Sequence, residues 1–224
     1  ESEFAPFEFK SLVNGKDTLV GADIELAKAI GEKLGVKVEF SVMSFDNVLA
    51  NVQSGKADIA IAGISVTDER KKVYDFSDSY YTSENVVIVK KDKVNDYTST
   101  DSLAKQTVGT QKGSVQETVA KKQIPKASVV SLASNGEMIN ELKSGQLQAV
   151  VLEKAIAEGY IAQNDDLTLA NFNLKSDGTD AYAVATRKGS DDLLKEINAV
   201  IKETKDSGKF DQWLKEASTY KQSK

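Results

Sequence analysis

Short apolar segments rich in β-branched residues alternate along this chain with segments whose apolar residues recur at three- and four-residue steps. The first pattern predicts buried strands, and the second predicts helices with one apolar face. Strands are predicted at residues 36–42, 57–62, 84–90, 107–110, 127–132, 148–152 and 181–186. The apolar faces of two helices are predicted at Ile24, Ala27, Ile30 and Leu34, and at Leu194, Ile197, Val200 and Ile201. This alternation predicts an α/β fold.

Two segments separated by 90 positions repeat one pattern. Residues 52–63 read VQSGKADIAIAG, and residues 142–153 read LKSGQLQAVVLE. Each has a helix end, a Ser-Gly stop and a buried strand, although such units also recur by chance in α/β proteins. If the two are equivalent, Gly63 and Glu153 lie at the carboxyl ends of corresponding strands, where open α/β sheets bind ligands. Two facing lobes would then place them on opposite walls of one cleft.

The composition excludes several classes of function. The 224 residues suffice for two lobes of about 100 residues, each with its own core. The absence of Cys and His excludes disulfides, thiol nucleophiles, imidazole bases and metal sites built from these groups. The net charge is −5 and the lysines interleave with acids, so nucleic acid is not an expected partner. Ligand binding is therefore favoured over catalysis, and no metal or cofactor is expected.

Arg70 is one of only two arginines in the chain, and it follows a predicted strand. Thr67 is a predicted helix N-cap, which places Arg70 in a first helical turn, where a cation is mildly unfavourable. One interpretation is that Arg70 binds a carboxylate through two parallel hydrogen bonds, while Gly63 and Ser65 contribute polar groups. The other is a surface arginine that pairs with an acid such as Asp68.

Three further features each allow two interpretations. Residues 107–117, TVGTQKGSVQE, predict a strand, a glycine-containing turn and a helix start. Free amides at such a turn can bind an anion, although many similar turns bind nothing. Glu153 ends a predicted strand, where its carboxylate could receive an ammonium group or lie in solvent. Phe4 and Phe45 could stack on a ligand or belong to the core.

Six segments in order carry a family resemblance. They are FAPFEF at 4–9, LVGADIEL at 19–26, SGKAD at 54–58, IAGISVTDER at 61–70, DFSDSYY at 75–81 and GKFDQW at 208–213. Together they resemble the bacterial family 3 solute-binding proteins, which supply polar amino acids to ABC transporters, over essentially the whole chain. The resemblance implies a two-lobe, type II periplasmic-binding-protein-like α/β fold with a ligand cleft between the lobes. Lobe 1 is expected at 1–89 and 185–224, lobe 2 at 94–180, and hinge strands near 89–93 and 181–185.

The same resemblance implies ligand-binding roles for eleven residues. They are Glu1, Phe4, Phe45, Gly63, Ser65, Arg70, Gln111, Ser114, Val115, Gln116 and Glu153. Arg70 is expected to bind the ligand α-carboxylate with help from Ser65 and the amides of residues 114–115. Glu153 is expected to take the α-ammonium with the Gly63 carbonyl. The two phenylalanines are expected to flank the ligand side chain, with Glu1 near its distal end and the two glutamines in lobe 2.

The implied function is capture of one free amino acid by hinge closure and its delivery to an ABC transporter permease. Arginine or lysine is expected first, because an acid between aromatic rings suits a cation, while glutamine and histidine stay open. The alternatives are a prephenate-type dehydratase on the same scaffold, which the lack of His disfavours, and a receptor or adhesin module that senses an amino acid. We expect a monomeric non-enzyme, located in the periplasm or on the cell surface as a lipoprotein whose anchor segment is absent from this sequence.

Two departures from the family pattern stand out. Family members have a β-strand before the FAPFEF segment, whereas this sequence starts at Glu1, so it is either trimmed or short of a strand. Glu also stands at both acid positions, Glu1 and Glu153, where Asp is common in the family. The additional methylene shifts each carboxylate outward.

Overall fold

The computed structural model describes residues 3–223 and confirms the α/β class. In chain order, the strands are β1 (Glu3–Phe4), β2 (Glu8–Val13), β3 (Lys16–Val20), β4 (Ile59–Ala60), β5 (Tyr74–Phe76), β6 (Tyr81–Thr82), β7 (Asn85–Lys90), β8 (Thr107–Gln111), β9 (Ser128–Leu132), β10 (Ala149–Glu153), β11 (Leu167–Leu169), β12 (Ala181–Tyr182) and β13 (Ala185–Arg187). The helices are α1 (Ala22–Leu34), α2 (Phe45–Gln53), α3 (Asp68–Lys71), α4 (Val115–Gln123), α5 (Asn135–Ser144), α6 (Lys154–Gln163), α7 (Asp191–Asp206) and α8 (Lys209–Ala217).

The chain divides into two compact units. The first unit runs to Thr82 and resumes at Ala181, and the second unit is Ser83–Asp180. The boundary differs from the sequence expectation, which placed residues 83–89 in the first lobe. The reason is that β7 pairs with β10 and β11 and so belongs to the sheet of the second unit.

The described residues of the first unit form two three-stranded antiparallel sheets and a two-stranded ribbon. One sheet has the order β1-β2-β3, the other β4-β13-β5, and the ribbon joins β12 to β6. The side chains of Val52, Ala60, Ala62, Ile64 and Ala185 are buried together in the core around the second sheet. The predicted strand at residues 181–186 is two strands, because β12 pairs with β6 whereas β13 lies between β4 and β5.

The strand predicted at residues 36–42 is wrong. These residues are in no strand, although Val36 and Phe40 have the side chains typical of one. A strand needs an adjacent strand for its backbone hydrogen bonds, and the described residues supply none for this segment. Consequently Val36 is 59% exposed, and Phe40 and Val42 are each 43% exposed.

The second unit contains one five-stranded sheet of order β11-β7-β10-β8-β9. β8 is parallel to both β9 and β10, whereas β7 is antiparallel to β10 and β11. Val87, Val89, Val108 and Val151 form part of its buried core. Because β8 and β10 are parallel neighbours, their carboxyl ends share one edge of the sheet, and α4 and α6 begin directly beyond them.

The repeated sequence pattern corresponds to the same local structure in each unit. The Asn51 carbonyl accepts hydrogen bonds from the amides of residues 56 and 57 at 3.0 and 3.1 Å. Ninety positions later, the Glu141 carbonyl accepts from the amides of residues 146 and 147 at the same distances. Gly55 and Gly145 both have positive φ, 77° and 84°, as the turn after each helix requires. The turns that join helix to strand in the two segments therefore have the same local structure.

Among the described residues, none of the helices combines the length and apolarity needed for a membrane span.

Candidate functional site

In the first unit, the turn after β4 brings Gly63 against aromatic rings. Gly63 has φ of +55°, and a Cβ at this position would lie 2.3 Å from a ring carbon of Phe4 and 3.1 Å from one of Tyr182. Only glycine fits so close an approach, since both the conformation and the space exclude a side chain. Ser65, two residues later, is 2% exposed. This turn therefore presents main-chain groups in a site walled by Phe4, which is itself 7% exposed.

Arg70 turns back onto this segment. The Thr67 hydroxyl accepts a hydrogen bond from the Arg70 amide at 3.1 Å, which confirms the predicted N-cap of the short helix α3. The Arg70 guanidinium donates to the Ser65 carbonyl at 2.8 Å and lies 5.8 Å from the centroid of the Phe45 ring. Burial lowers the pKa of the guanidinium below its ordinary value. A nearby anion would offset that desolvation, so this cation is suited to a ligand carboxylate.

Asp23 is a buried acid at this turn that the sequence analysis missed. Its Oδ2 accepts hydrogen bonds from the Gly63 amide and from the Tyr80 hydroxyl, both at 3.1 Å. Asp23 lies in the first turn of α1, one and two turns before the buried Ala27 and Ile30. An acid on the apolar face of a predicted helix is the signal that could have found it.

In the second unit, Glu153 ends β10 and is 1% exposed. Its Oε2 caps α6 by accepting from the amides of Ala155 at 2.9 Å and Ile156 at 3.3 Å. The other oxygen, Oε1, is buried and accepts no hydrogen bond of ordinary geometry from the described part of the chain. Burial raises the pKa of Glu153 to about 7, although nearby amides oppose the shift. A buried carboxyl with one open oxygen is a suitable partner for a cation.

The start of α4 lies beside Glu153, because it follows β8 at the same sheet edge. Gln111 and Ser114 are buried there, and the Ser114 hydroxyl caps α4 by accepting from an amide three residues later. The Ser114 amide already donates to the Gln111 carbonyl at 3.2 Å, so a ligand would have to share it. Val115, the first residue of α4, is 9% exposed.

Asn85 is one more residue at this sheet edge that sequence reasoning missed, and its contact is with Gln116. The Gln116 Nε2 donates to Oδ1 of Asn85 at 2.7 Å. Asn85 is the register partner of Glu153 in the antiparallel pair of β7 and β10. Only the pairing of the strands brings Asn85 to the site, so no local sequence signal marks it.

The structure thus gathers the predicted residues into two groups, one in each unit. The first holds Phe4, Phe45, Gly63, Ser65 and Arg70, and the second holds Gln111, Ser114, Val115, Gln116 and Glu153. Glu1 lies outside the described residues. The first group offers a desolvated cation beside aromatic rings, and the second offers a buried carboxyl.

A family model and several known proteins match most of this chain. The family model described as bacterial extracellular solute-binding proteins, family 3, matches residues 1–217. The arginine-binding extracellular protein ArtP of Bacillus subtilis is 34% identical over 219 residues, which cover 96% of this chain and 82% of the relative. The ABC transporter glutamine-binding protein GlnH of the same organism is 33% identical over 205 residues, 88% of this chain and 73% of the relative.

Solved structures extend the comparison to the fold. An amino acid ABC transporter substrate-binding protein, AbpA from Streptococcus pneumoniae bound to L-arginine, has a TM-score of 0.94 and 50% identity, covering 97% of this chain and 92% of that one. An ancestral arginine-binding protein bound to glutamine has a TM-score of 0.86 and 41% identity, covering 96% and 94%. The periplasmic-binding-protein-like fold expected from the sequence is confirmed by these similarities.

Proposed function

Because this chain belongs to the bacterial extracellular solute-binding proteins of family 3, we propose that it binds one free amino acid, arginine or lysine first, for delivery to an ABC transporter permease. The single observation that carries the proposal is the open Oε1 of Glu153, a buried carboxyl oxygen placed to receive an ammonium group. Such an atom costs free energy in the ligand-free protein, which a cationic partner would recover.

The ligand α-carboxylate is assigned to Arg70. A guanidinium pairs with a carboxylate through two parallel hydrogen bonds, and its contacts with the Ser65 carbonyl and the Phe45 ring hold it in one orientation. The amides at the start of α4 are additional donors for the same group. The α-ammonium is assigned to Glu153 together with the Gly63 carbonyl.

The ligand side chain is assigned to the region of Phe4 and Phe45, with Glu1 at its distal end and Gln111 and Gln116 as polar neighbours. Aromatic faces attract a guanidinium or ammonium by roughly 0.5–2 kcal/mol. Relatives support both arginine and glutamine as candidate ligands: a structure at 50% identity is bound to L-arginine, and a related ancestral protein is bound to glutamine. Glutamine is therefore the second candidate ligand, and histidine, named for other relatives, the third.

We also propose that binding closes the two units on the ligand. The chain passes between the units twice, at Thr82–Ser83 and at Asp180–Ala181, so two short crossings can act as the hinge. Since Arg70 and Glu153 belong to different units, only a zwitterion supplies a partner to both. We propose that the protein is a monomer that acts outside the cytoplasm and has no catalytic activity. Once closed on its ligand, it is proposed to dock on its permease. A lipoprotein anchor is part of the proposal for its location.

Isothermal titration of the purified protein with each of the twenty amino acids tests the proposed function. Arginine or lysine should bind most tightly. Glutamine should bind more weakly, by about tenfold for each 1.4 kcal/mol of binding free energy that the missing charge removes. Glutamate and aspartate should show no binding. Glu1→Gln should reduce the preference for cationic side chains more than the affinity for glutamine. Tight binding of glutamate, or the absence of binding by every amino acid, would contradict the assignment. A turnover assay with prephenate should give no product.

A further inference from the structure

We propose that Asp23 is a positioning residue that holds the Gly63 turn for the ligand's α-ammonium group and ties that turn to the strands beside both chain crossings. The inference rests on the proposed function, since it deepens the role assigned to the Gly63 carbonyl.

Ring packing and one hydrogen bond to Asp23 constrain the main chain at Gly63. Rings of Phe4 and Tyr182 close the space beside the Gly63 Cα, as the position of a hypothetical Cβ shows. The Gly63 amide lies outside any strand or helix, and its hydrogen bond goes to Asp23 Oδ2 at 3.1 Å. This hydrogen bond orients the peptide group on the amino side of Gly63, whose φ is +55°. Asp23 therefore constrains the turn from which the Gly63 carbonyl projects.

A second buried acid lies near this contact. Glu8, on β2, is 2% exposed, and its interaction with the Asp23 side chain lowers the Asp23 pKa, although burial is the larger cause and raises it. The Asp23 side chain that accepts from the Gly63 amide is itself 1% exposed. A hydrogen bond in such a buried environment is stronger than the same bond in water.

The same carboxylate reaches the segments through which the chain leaves and re-enters the first unit. The Tyr80 hydroxyl donates to Asp23 Oδ2, and the Tyr80 amide donates to the Tyr182 carbonyl at 2.9 Å. Tyr80 directly precedes β6, and Tyr182 belongs to β12, its partner in the ribbon. One side chain therefore connects the ligand-contacting turn with both strands next to the unit boundary.

The test compares arginine with 5-guanidinopentanoate, which is arginine without its α-amino group. Asp23→Ala should lower the affinity for arginine by about tenfold to a hundredfold, the effect of one misplaced hydrogen bond to a charged group. Affinity for 5-guanidinopentanoate should change less than about threefold, because it makes no use of the Gly63 carbonyl. Asp23→Asn retains an oxygen acceptor and should bind arginine within about threefold of wild type.

Ser77→Ala is the matched control, because the Ser77 hydroxyl is also buried in the first unit and accepts from the Val184 amide at 2.9 Å. It should shift both ligands by the same factor. An equal loss of both ligands in Asp23→Ala, or no loss of either, would overturn the proposal.

Amide hydrogen exchange of ligand-free wild type provides a second measurement that needs neither folding of a variant nor a ligand. The Gly63 amide should be strongly protected, and exchange at the rate of an unstructured peptide would also overturn the proposal. If wild type bound no amino acid at all, the proposed function would fail, while Gly63 protection would still report whether Asp23 holds the turn.

Discussion

Glu153 should make amino-acid affinity depend on pH, in a direction that the structure determines. In the ligand-free protein its pKa is about 7, raised from 4.5 by burial. An α-ammonium group pairs with the ionised carboxyl and not with the protonated one. A ligand must therefore displace a proton from Glu153 at any pH below about 7, so the affinity for arginine should fall as the pH falls.

The magnitude follows from the fraction of Glu153 that is ionised. Two pH units below its pKa that fraction is about 1%, so the Kd for arginine should rise about a hundredfold between pH 8 and pH 5, or about 2.7 kcal/mol. The free energy of unfolding of the ligand-free protein should follow the opposite course. The stability contributed by the proton on Glu153 is complete below pH 4.5 and is lost as the pH rises through about 7, by about 3 kcal/mol.

Isothermal titration at pH 5, 6, 7 and 8 measures the first effect, and buffers of different ionisation enthalpy count the protons released. Binding at pH 6 should release about 0.9 proton from Glu153. Glu153→Gln should bind arginine more weakly at pH 8 and lose this part of the pH dependence. Glu137→Gln changes an exposed acid of the same unit and should behave as wild type. A wild-type Kd that stays constant from pH 5 to pH 8, or an unchanged slope in Glu153→Gln, would refute the reasoning.

Three further predictions concern the rest of the proposed mechanism. Arg70→Ala should cost about 2–5 kcal/mol of arginine affinity and Arg70→Lys should recover only part of it, because a lysine cannot form two parallel hydrogen bonds; calorimetry within threefold of wild type would reject the role. Binding should be unchanged in EDTA, since the described residues contain no cluster of three metal-ligating side chains, and loss of binding in chelator would contradict this. Saturating arginine should raise the melting temperature by mass action and compact the protein, whereas identical small-angle scattering profiles with and without ligand would argue against closure.

The sequence predicted the second unit better than the first, and the reason is the locality of the signal. Strands β7, β8, β9 and β10 lie in one sheet and each contains adjacent apolar or β-branched residues, so each was recognised within a residue or two of its bounds. In the first unit, residues 36–42 are also rich in β-branched and aromatic residues, but the described residues supply no strand beside them. Residues 181–186 contain a change of pairing partner that composition does not encode. Strand pairing is a long-range property, and a short window of sequence does not contain it.

Site prediction had a similar limit. Arg70, Gly63 and Ser65 were found because they lie close together in sequence after one strand, and the repeat linked Gly63 to Glu153. The capping role of Glu153 was not foreseen, because Ser, Thr, Asp and Asn are the usual N-cap residues. Asn85 reached the same sheet edge only through pairing of β7 with β10.

Asp23 and Glu153 show why burial alone does not identify a binding residue. Both carboxyls are 1% exposed, and burial is the largest cause of a raised pKa in each. Asp23 receives two hydrogen bonds on Oδ2, and its Oδ1 has no hydrogen-bond partner of ordinary geometry among the described residues. Glu153 likewise uses Oε2 to cap a helix, and its Oε1 has no such partner. A buried carboxyl with an unsatisfied oxygen gains free energy when a cation arrives, so this feature does not separate the two. Their positions do, because Asp23 Oδ2 holds the amide of the Gly63 turn, whereas Glu153 ends a strand at the sheet edge beyond which α4 and α6 begin.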